Sequence, residues 1–299
     1  MTAFNTVAIV GKGNLGSAIL TALVNAGFAL TVIGRTVKKP EDLPAGVKSL
    51  AVDYASPADL ETAFRGQDVV ICTVGTTAQV DQKLLIDAAI KVGVKRYIPC
   101  DFGSITTDPR VSKIASYPGL VEIQQYVKSK AEAGQIEYTI FSTGAFTEFL
   151  AITGFVLNLE DRSITLWEGG KHPFSSTSLA GIGKAVAGAL KKPDATKNRN
   201  LFIHEHVVTQ AQILDLFKKH GPSDAEWKVT NIEDSKIGFD QLSKVAKEDP
   251  NPQSIFALIL STIFGGLFSA HYEKVDNELL GLELGSAADL DAMVARASK

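Results

Sequence analysis

Cysteine is scarce in this chain, with two in 299 residues, Cys72 and Cys100. That excludes a disulfide framework and leads us to expect a reducing compartment, the cytoplasm. Neither sign of charge dominates: 30 Lys and Arg stand against 33 Asp and Glu, for a net charge of −3. The balance gives no electrostatic basis for binding nucleic acid or an anionic membrane surface. Long apolar runs are missing too. A bilayer span takes roughly 20 residues, and the longest run, "IFALILSTIFGGLF" at 255–268, is shorter and holds a glycine pair. It is expected to form a buried helix, or the wall of a pocket or of a homodimer contact. No basic segment precedes the first apolar run, which stops at Gly11, so the pattern is not that of a secretory signal. Repeats and low-complexity linkers are absent. What remains is a globular composition, 45% hydrophobic and 21% charged, sufficient for one large domain or two modest ones.

The first half alternates two periodicities. Short Val- and Ile-rich runs at Thr6–Val10, Ala29–Ile33, Lys48–Val52, Asp68–Thr73, Arg96–Cys100 and Tyr138–Ser142 are apolar on both faces, as buried parallel strands are. Helical patterns at Asn14–Ala26, Pro57–Phe64, Val80–Val92 and about 120–133 separate them. Ser56 before Pro57 has the form of an N-cap followed by proline at the first helical position. The alternation implies an α/β fold with a doubly wound parallel sheet. After "STGAFTEF" the rhythm breaks. "RSITLWEGGKHPFSSTSL" reads as short strands and loops, "LAGIGKAVAGAL" as a helix, "NRNLFIHEHVV" as one strand, and 210–299 as mostly helix. We expect a first domain over 1–147, with 176–206 returning to it, and a smaller, mostly helical domain from 148–175 and 207–299.

"VGKGNLGSAIL" supplies Gly11, Gly13 and Gly16 in the spacing G-x-G-x-x-G, directly after an apolar strand and at the start of a helix. Gly11 would permit the tight turn, Gly13 a close approach of the backbone to a pyrophosphate, and Gly16 close helix–strand packing. The N–H groups at Asn14, Leu15 and Gly16 would face the phosphates. The dinucleotide is selected at the end of the second strand. NAD sites carry an acid there for the ribose 2′-hydroxyl, but "VIGRTVKK" has Arg35, with Lys39 behind it. A guanidinium suits a 2′-phosphate, which favours NADPH; a solvated charge run is the alternative. Thr73, Val74 and Gly75 end the next strand, where ribose and nicotinamide would lie. Cys100 and Phe102 end the one after. Asp53 would meet the adenine edge or cap a helix.

These stretches, with "GVKRYIPCDFG", "EYTIFSTGAFTEFL", "HPFSSTSLAGIGKAVAGAL" and "DNELLGL", resemble the NmrA-like and isoflavone reductase-like group of atypical short-chain dehydrogenases, particularly its fungal members. Cys100 and Asp101 stand where that group more often has Ser and Glu. The resemblance implies a Rossmann domain with a smaller substrate domain. For the reductase branch it also implies NADPH-dependent reduction of small phenolic or benzylic molecules. Its NmrA branch binds a dinucleotide without reductase chemistry.

The resemblance also exposes a departure. Reductases of the group carry a lysine at the start of the helix before the strand matching Tyr138–Ser142, and Leu120 falls at that position. Leucine can neither donate a proton nor hold a substrate oxygen. Tyr126 and Lys130 make a Tyr-x-x-x-Lys pair on one helical face, but Lys130 falls at the far end of the helix, where a lysine caps free carbonyls. Lys113 and Tyr117, on the loop before the helix, are left as weak candidate donors. Phe102, Phe146 and Phe149 would line an apolar substrate pocket or fill an interdomain core. His204 and His206 share a strand face without a third metal ligand, so no metal is expected.

Overall fold

In the computed structural model, which describes residues 4–74, 82–114, 117–151, 155–222 and 226–298, the apolar runs of the first half become neighbouring strands. The elements run β1 (Thr6–Val10), α1 (Asn14–Asn25), β2 (Ala29–Gly34), β3 (Lys48–Ala51), α2 (Pro57–Phe64), β4 (Val69–Cys72), α3 (Gln82–Lys91), β5 (Arg96–Ile98), α4 (Pro118–Glu132) and β6 (Glu137–Ser142). Next come β7 (Ala145–Phe146), β8 (Ser163–Trp167), β9 (Phe174–Thr177), α5 (Leu179–Lys191), α6 (Pro193–Thr196), β10 (Arg199–Phe202) and β11 (His206–Val208). The last stretch holds α7 (Gln210–His220), β12 (Lys228–Ile232), α8 (Ser235–Glu248), α9 (Pro252–Phe264), α10 (Asn277–Leu280) and α11 (Ala287–Ala297).

Seven strands form one sheet in the order β10-β6-β5-β4-β1-β2-β3, every pair parallel. Its two central strands, β1 and β4, are buried on both faces, which is why they are unbroken apolar runs. The sheet winds outward in opposite senses from β1 and β4. That leaves a crevice at their carboxyl ends, the place where ligands bind in such sheets. The register sets Val10 between Ile33 and Cys72, so Gly11, the end of β2 and Thr73 converge there.

Ser56 caps α2 as its sequence suggests, its Oγ accepting from the backbone N–H of Asp59, with Pro57 at the first position. "NRNLFIHEHVV" is not one strand. Residues 199–202 extend the parallel sheet beside β6, and the chain then turns so that His206–Val208 pairs antiparallel with β9 in a second sheet, β11-β9-β7. The crossing is held by Ile203 N–H to Ser142 O (2.9 Å) and Glu205 N–H to Ser176 O (2.9 Å), so the backbone stays hydrogen-bonded while changing sheets. Helix α5 returns to the first sheet. Gly183 presents no side chain to the Ala18 carbonyl of α1, which a Cβ would approach to 2.8 Å.

A second core lies around β8, β9, α7 and α9, with Trp167, Phe174, Phe217 and Phe264 buried in it. The apolar run at 255–268 supplies α9, whose Leu258, Ile263 and Phe264 are buried while Phe256 stays 42% exposed. Among the described residues no helix is long and apolar enough to cross a membrane.

Candidate functional site

The turn after β1 is locked by main-chain contacts. Gly11 has φ +94°, and a Cβ there would stand 3.0 Å from Thr73 O and 3.2 Å from the Val74 nitrogen. Thr73 ties the turn from the far side: its N–H donates to Val10 O (2.8 Å) and its Oγ1 to Gly11 O (2.9 Å). Gly16 is tighter, since a Cβ would lie 2.5 Å from Gly11 O. Gly13 differs from both. It is the exposed N-cap of α1, has nothing within 4 Å of where its Cβ would be, and offers no side chain to the helix. The first turn, from the exposed Asn14 to the buried Gly16, thus begins without a side-chain cap and without an acidic residue, the arrangement that accepts an anion.

Across the crevice, Arg35 follows β2 and is exposed, and no acceptor holds its guanidinium among the described residues. Lys39 is exposed as well, 3.9 Å from Glu41. Lys12, inside the glycine turn, donates to Asp42 O (3.2 Å). The residues present thus fit a phosphorylated adenosine: an open helix start for a diphosphate and a free guanidinium one strand away. Asp53 accepts the Ala55 N–H (2.9 Å) in a local turn that leads into α2. Gly75 lies outside the described residues.

At the end of β5 the contacts are made by side chains. Cys100 donates its backbone N–H to Gln82 Oε1 (2.8 Å), and its Sγ–H points to Val74 O (2.8 Å), so the ends of β4 and β5 are joined. The hydrogen bond of its thiol toward the neighbouring Cys72 and then burial push the Cys100 thiol up, which keeps it protonated. Asp101 is buried. Burial pushes its carboxyl above the ordinary value, against hydrogen bonds from Thr106 and Gln124. Gln124 also donates to Thr106 O (3.0 Å), fastening α4 to the loop after β5. Tyr272, from beyond α9, bonds Ser104 O and accepts the Gly144 N–H (3.0 Å), and burial raises its phenol strongly. Neither the Gln124 nor the Tyr272 contact has a signal in the sequence, because each partner lies far away along the chain.

The candidate donors are separated. Tyr117 is buried at the N-cap of α4, shares a hydrogen bond with Thr262 (3.2 Å), and is pushed by burial up to about 12. Lys113 is exposed at the end of a 3-10 turn (Pro109–Lys113) and lines a cavity against α8. Leu120 sits in the first turn of α4 and packs on the second core. Lys130 lies in the last turn of α4, and with Tyr126 it engages Asp87 on the outer surface, at 3.6 Å from Lys130 and 2.6 Å from the Tyr126 hydroxyl. Lys130 is at the far helix end as its sequence position suggests, but its ammonium turns to Asp87 and the Tyr126 ring rather than to the free carbonyls.

Phe102 is 7% exposed and stacks on Phe141 with ring centres 5.8 Å apart, inside a first core that β1, α1 and α5 build with Val7, Ile9, Leu23 and Ile182. Phe146 and Phe149 are half-buried and touch each other (5.2 Å), and Phe149 continues to Phe155 (6.0 Å) and so into the second core. They bridge the two cores, and a pocket wall is compatible with that position. His204 bonds Ser175 Oγ (3.0 Å) and faces His271. Among the described residues no group of three His, Cys, Asp or Glu is placed to hold a metal ion.

Comparison with known proteins follows the same lines. A family model described as the NmrA-like family matches residues 4–238. The oxidoreductase aprR of Aspergillus flavus is 34% identical over 96% of this chain and 98% of its own length. The oxidoreductase poxI of Penicillium oxalicum is 32% identical over 70% of this chain and 67% of its own. Among solved structures, the binary complex of leucoanthocyanidin reductase with NADPH from Vitis vinifera aligns with a TM-score of 0.74 at 18% identity, covering 99% of this chain and 100% of that one. At that identity the likeness is one of fold.

Proposed function

The chain belongs to the NmrA-like family, and on that premise we propose that it is an NADPH-dependent reductase of a small, largely apolar metabolite, of phenolic, isoflavonoid-like or enone type. Residues 1–147, joined by 176–206, hold the nucleotide, and 148–175 with 207–299 close over the substrate. The observation that carries this reading is the unpaired Arg35 guanidinium across the crevice from a helix start with no side-chain cap. The oxidoreductase relatives and the NADPH-bound plant reductase of the same fold support it.

Bound NADPH supplies the hydride. The protein's part is to orient and to exclude water. Gly11 and Thr73 shape the turn that would hold the pyrophosphate, and Arg35 would pair with the 2′-phosphate. Phe146 and Phe149 form an apolar wall where the two cores meet. Among the described residues none is assigned the proton: Tyr117 is engaged by Thr262, Lys113 lines the cavity against α8, and Leu120 is inert.

That last observation favours a second reading, a dinucleotide-binding sensor without reductase chemistry. A panel of isoflavonoids, quinones and enones, assayed for NADPH oxidation by loss of cofactor absorbance, separates the two. Turnover of at least one compound is the expected result. Tight NADPH binding with no turnover across the panel would establish the sensor instead.

A further inference from the structure

A cavity of about 470 Å³ lies between the 3-10 turn Pro109–Lys113, one face of α8 and the corner at 267–268. Its floor is apolar, with Ile114, Phe239 and Phe268, and the two phenyl rings are 5.4 Å apart. Its rim is cationic. Lys236 and Lys247 come from α8, eleven residues or three turns apart, so they stand on one face of the helix with Phe239 and Asp240 between them. Arg110 and Lys113 close the opposite side.

The charges on this rim do not balance. Asp108 grips the Arg110 guanidinium (Nε to Oδ1, 2.9 Å), which also donates to Leu267 O (2.8 Å) and lies 4.9 Å over the Phe268 ring. Lys236 bonds Asp240. Lys113 and Lys247 are exposed, and neither has an acidic partner among the described residues. Two uncompensated ammonium groups therefore border one apolar cavity in a chain whose net charge is −3. Like charges gathered at a low-dielectric wall repel each other and attract a counter-anion, and the wall focuses the field. The fixed Arg110–Phe268 stack gives the same cavity a rigid surface for a flat ring.

We propose that this cavity binds a small aromatic carboxylate, its ring against Phe239 and Phe268 and its carboxylate between Lys113 and Lys247. The site shares no residue with the glycine turn or with Arg35, so it stands whether or not NADPH binds. Lys113 is then a ligand for an anion rather than a proton donor.

Calorimetric titration of the full chain with 2-naphthoate, and in parallel with the neutral 2-naphthamide, tests this. Saturable binding is expected for the acid, tighter than for the amide and unaffected by saturating NADPH. With two exposed ion pairs removed, the double variant Lys113→Ala, Lys247→Ala should bind 2-naphthoate about tenfold more weakly and the amide unchanged. Both lysines are exposed, so the fold is not at stake. Equal affinities for acid and amide, an unchanged affinity in the double variant, or displacement of 2-naphthoate by NADPH would each overturn the proposal.

Discussion

At the carboxyl ends of β1, β2 and β4 the crevice is shaped by main-chain atoms, whereas beyond β5 and β6 it is shaped by side chains drawn from distant segments. The first edge needs glycine because the Thr73 and Gly11 carbonyls leave no space for a Cβ at Gly11 or Gly16. The second depends on pairs such as Asp101 with Gln124, Tyr117 with Thr262 and Tyr272 with Gly144. A main-chain edge presents fixed N–H groups to any phosphate and is indifferent to what is reduced. A side-chain edge is specific to this chain, and there Leu120, in the first turn of the helix after β5, packs into the second core.

The largest effect that bears on this contrast lies at the other end of the same strands, where β5 and β6 begin. Arg96 is fully buried, with its guanidinium on Glu137, Thr139 (3.2 Å), Thr196 (3.1 Å) and Pro193 O (2.8 Å), and it joins β5, β6 and α6. Glu137 is partly exposed and keeps Lys197 (2.7 Å), so the cost of Arg96→Ala comes from the buried Thr139 and Thr196 contacts and lost packing, about 3 kcal/mol in urea unfolding. A loss below 1 kcal/mol would show that side chains matter less here than we argue.

At the first edge two glycines should respond differently. Gly16→Ala forces a Cβ against the Gly11 carbonyl and should destabilise by about 1–3 kcal/mol while weakening NADPH binding. Gly13→Ala meets open space, so its stability should stay within about 0.5 kcal/mol of the parent while NADPH binding still falls. If the two variants lose stability equally, the division of labour among the glycines is wrong.

A smaller effect separates the two ends of the sheet by pH, since Asp68 stands at the amino ends of β1 and β4 and Asp101 beyond the carboxyl end of β5. Burial works against ionisation of Asp68, yet hydrogen bonds from Lys95, Asn5 and Thr6 hold its carboxyl down to about 2, from an ordinary 3.8. Its contribution is therefore present above about pH 4 and lost as the pH falls toward 2. Asp101 has the opposite sign. Burial raises its carboxyl, so the stability it contributes is full below the ordinary 3.8 and declines as the pH rises through the folded-state value. Asp68→Asn should flatten the acid limb of stability against pH, and Asp101→Asn the limb above it, both read by denaturant titration. Matching profiles for the two variants would contradict the assignment.

The same division explains what could be read from the sequence. The glycine turn, the cap at Ser56 and the alternating strands and helices are local patterns, each complete within a few residues, and the sheet follows from them. Arg35 was legible because its position relative to the turn is fixed by one strand–helix–strand unit. Nothing local marks Tyr117 as the partner of Thr262, 145 residues away, or Tyr272 as the partner of Gly144, 128 away. "NRNLFIHEHVV" was misread because strand propensity records extended backbone and not which sheet accepts it. The chain changes partners between Phe202 and His206 with no glycine or proline to mark the turn. Arg96 reads as an ordinary strand-end charge until three separate elements are seen to close around it.

The central claim is that Arg35 meets a 2′-phosphate. Calorimetric dissociation constants for NADPH and NADH, measured on the parent chain and on Arg35→Ala, test it most directly. A charge-assisted pair should make NADPH about 10- to 100-fold tighter than NADH in the parent, and Arg35→Ala should remove most of that preference while leaving NADH unchanged. Equal affinities in the parent, or a preference for NADPH that survives the loss of Arg35, would contradict it.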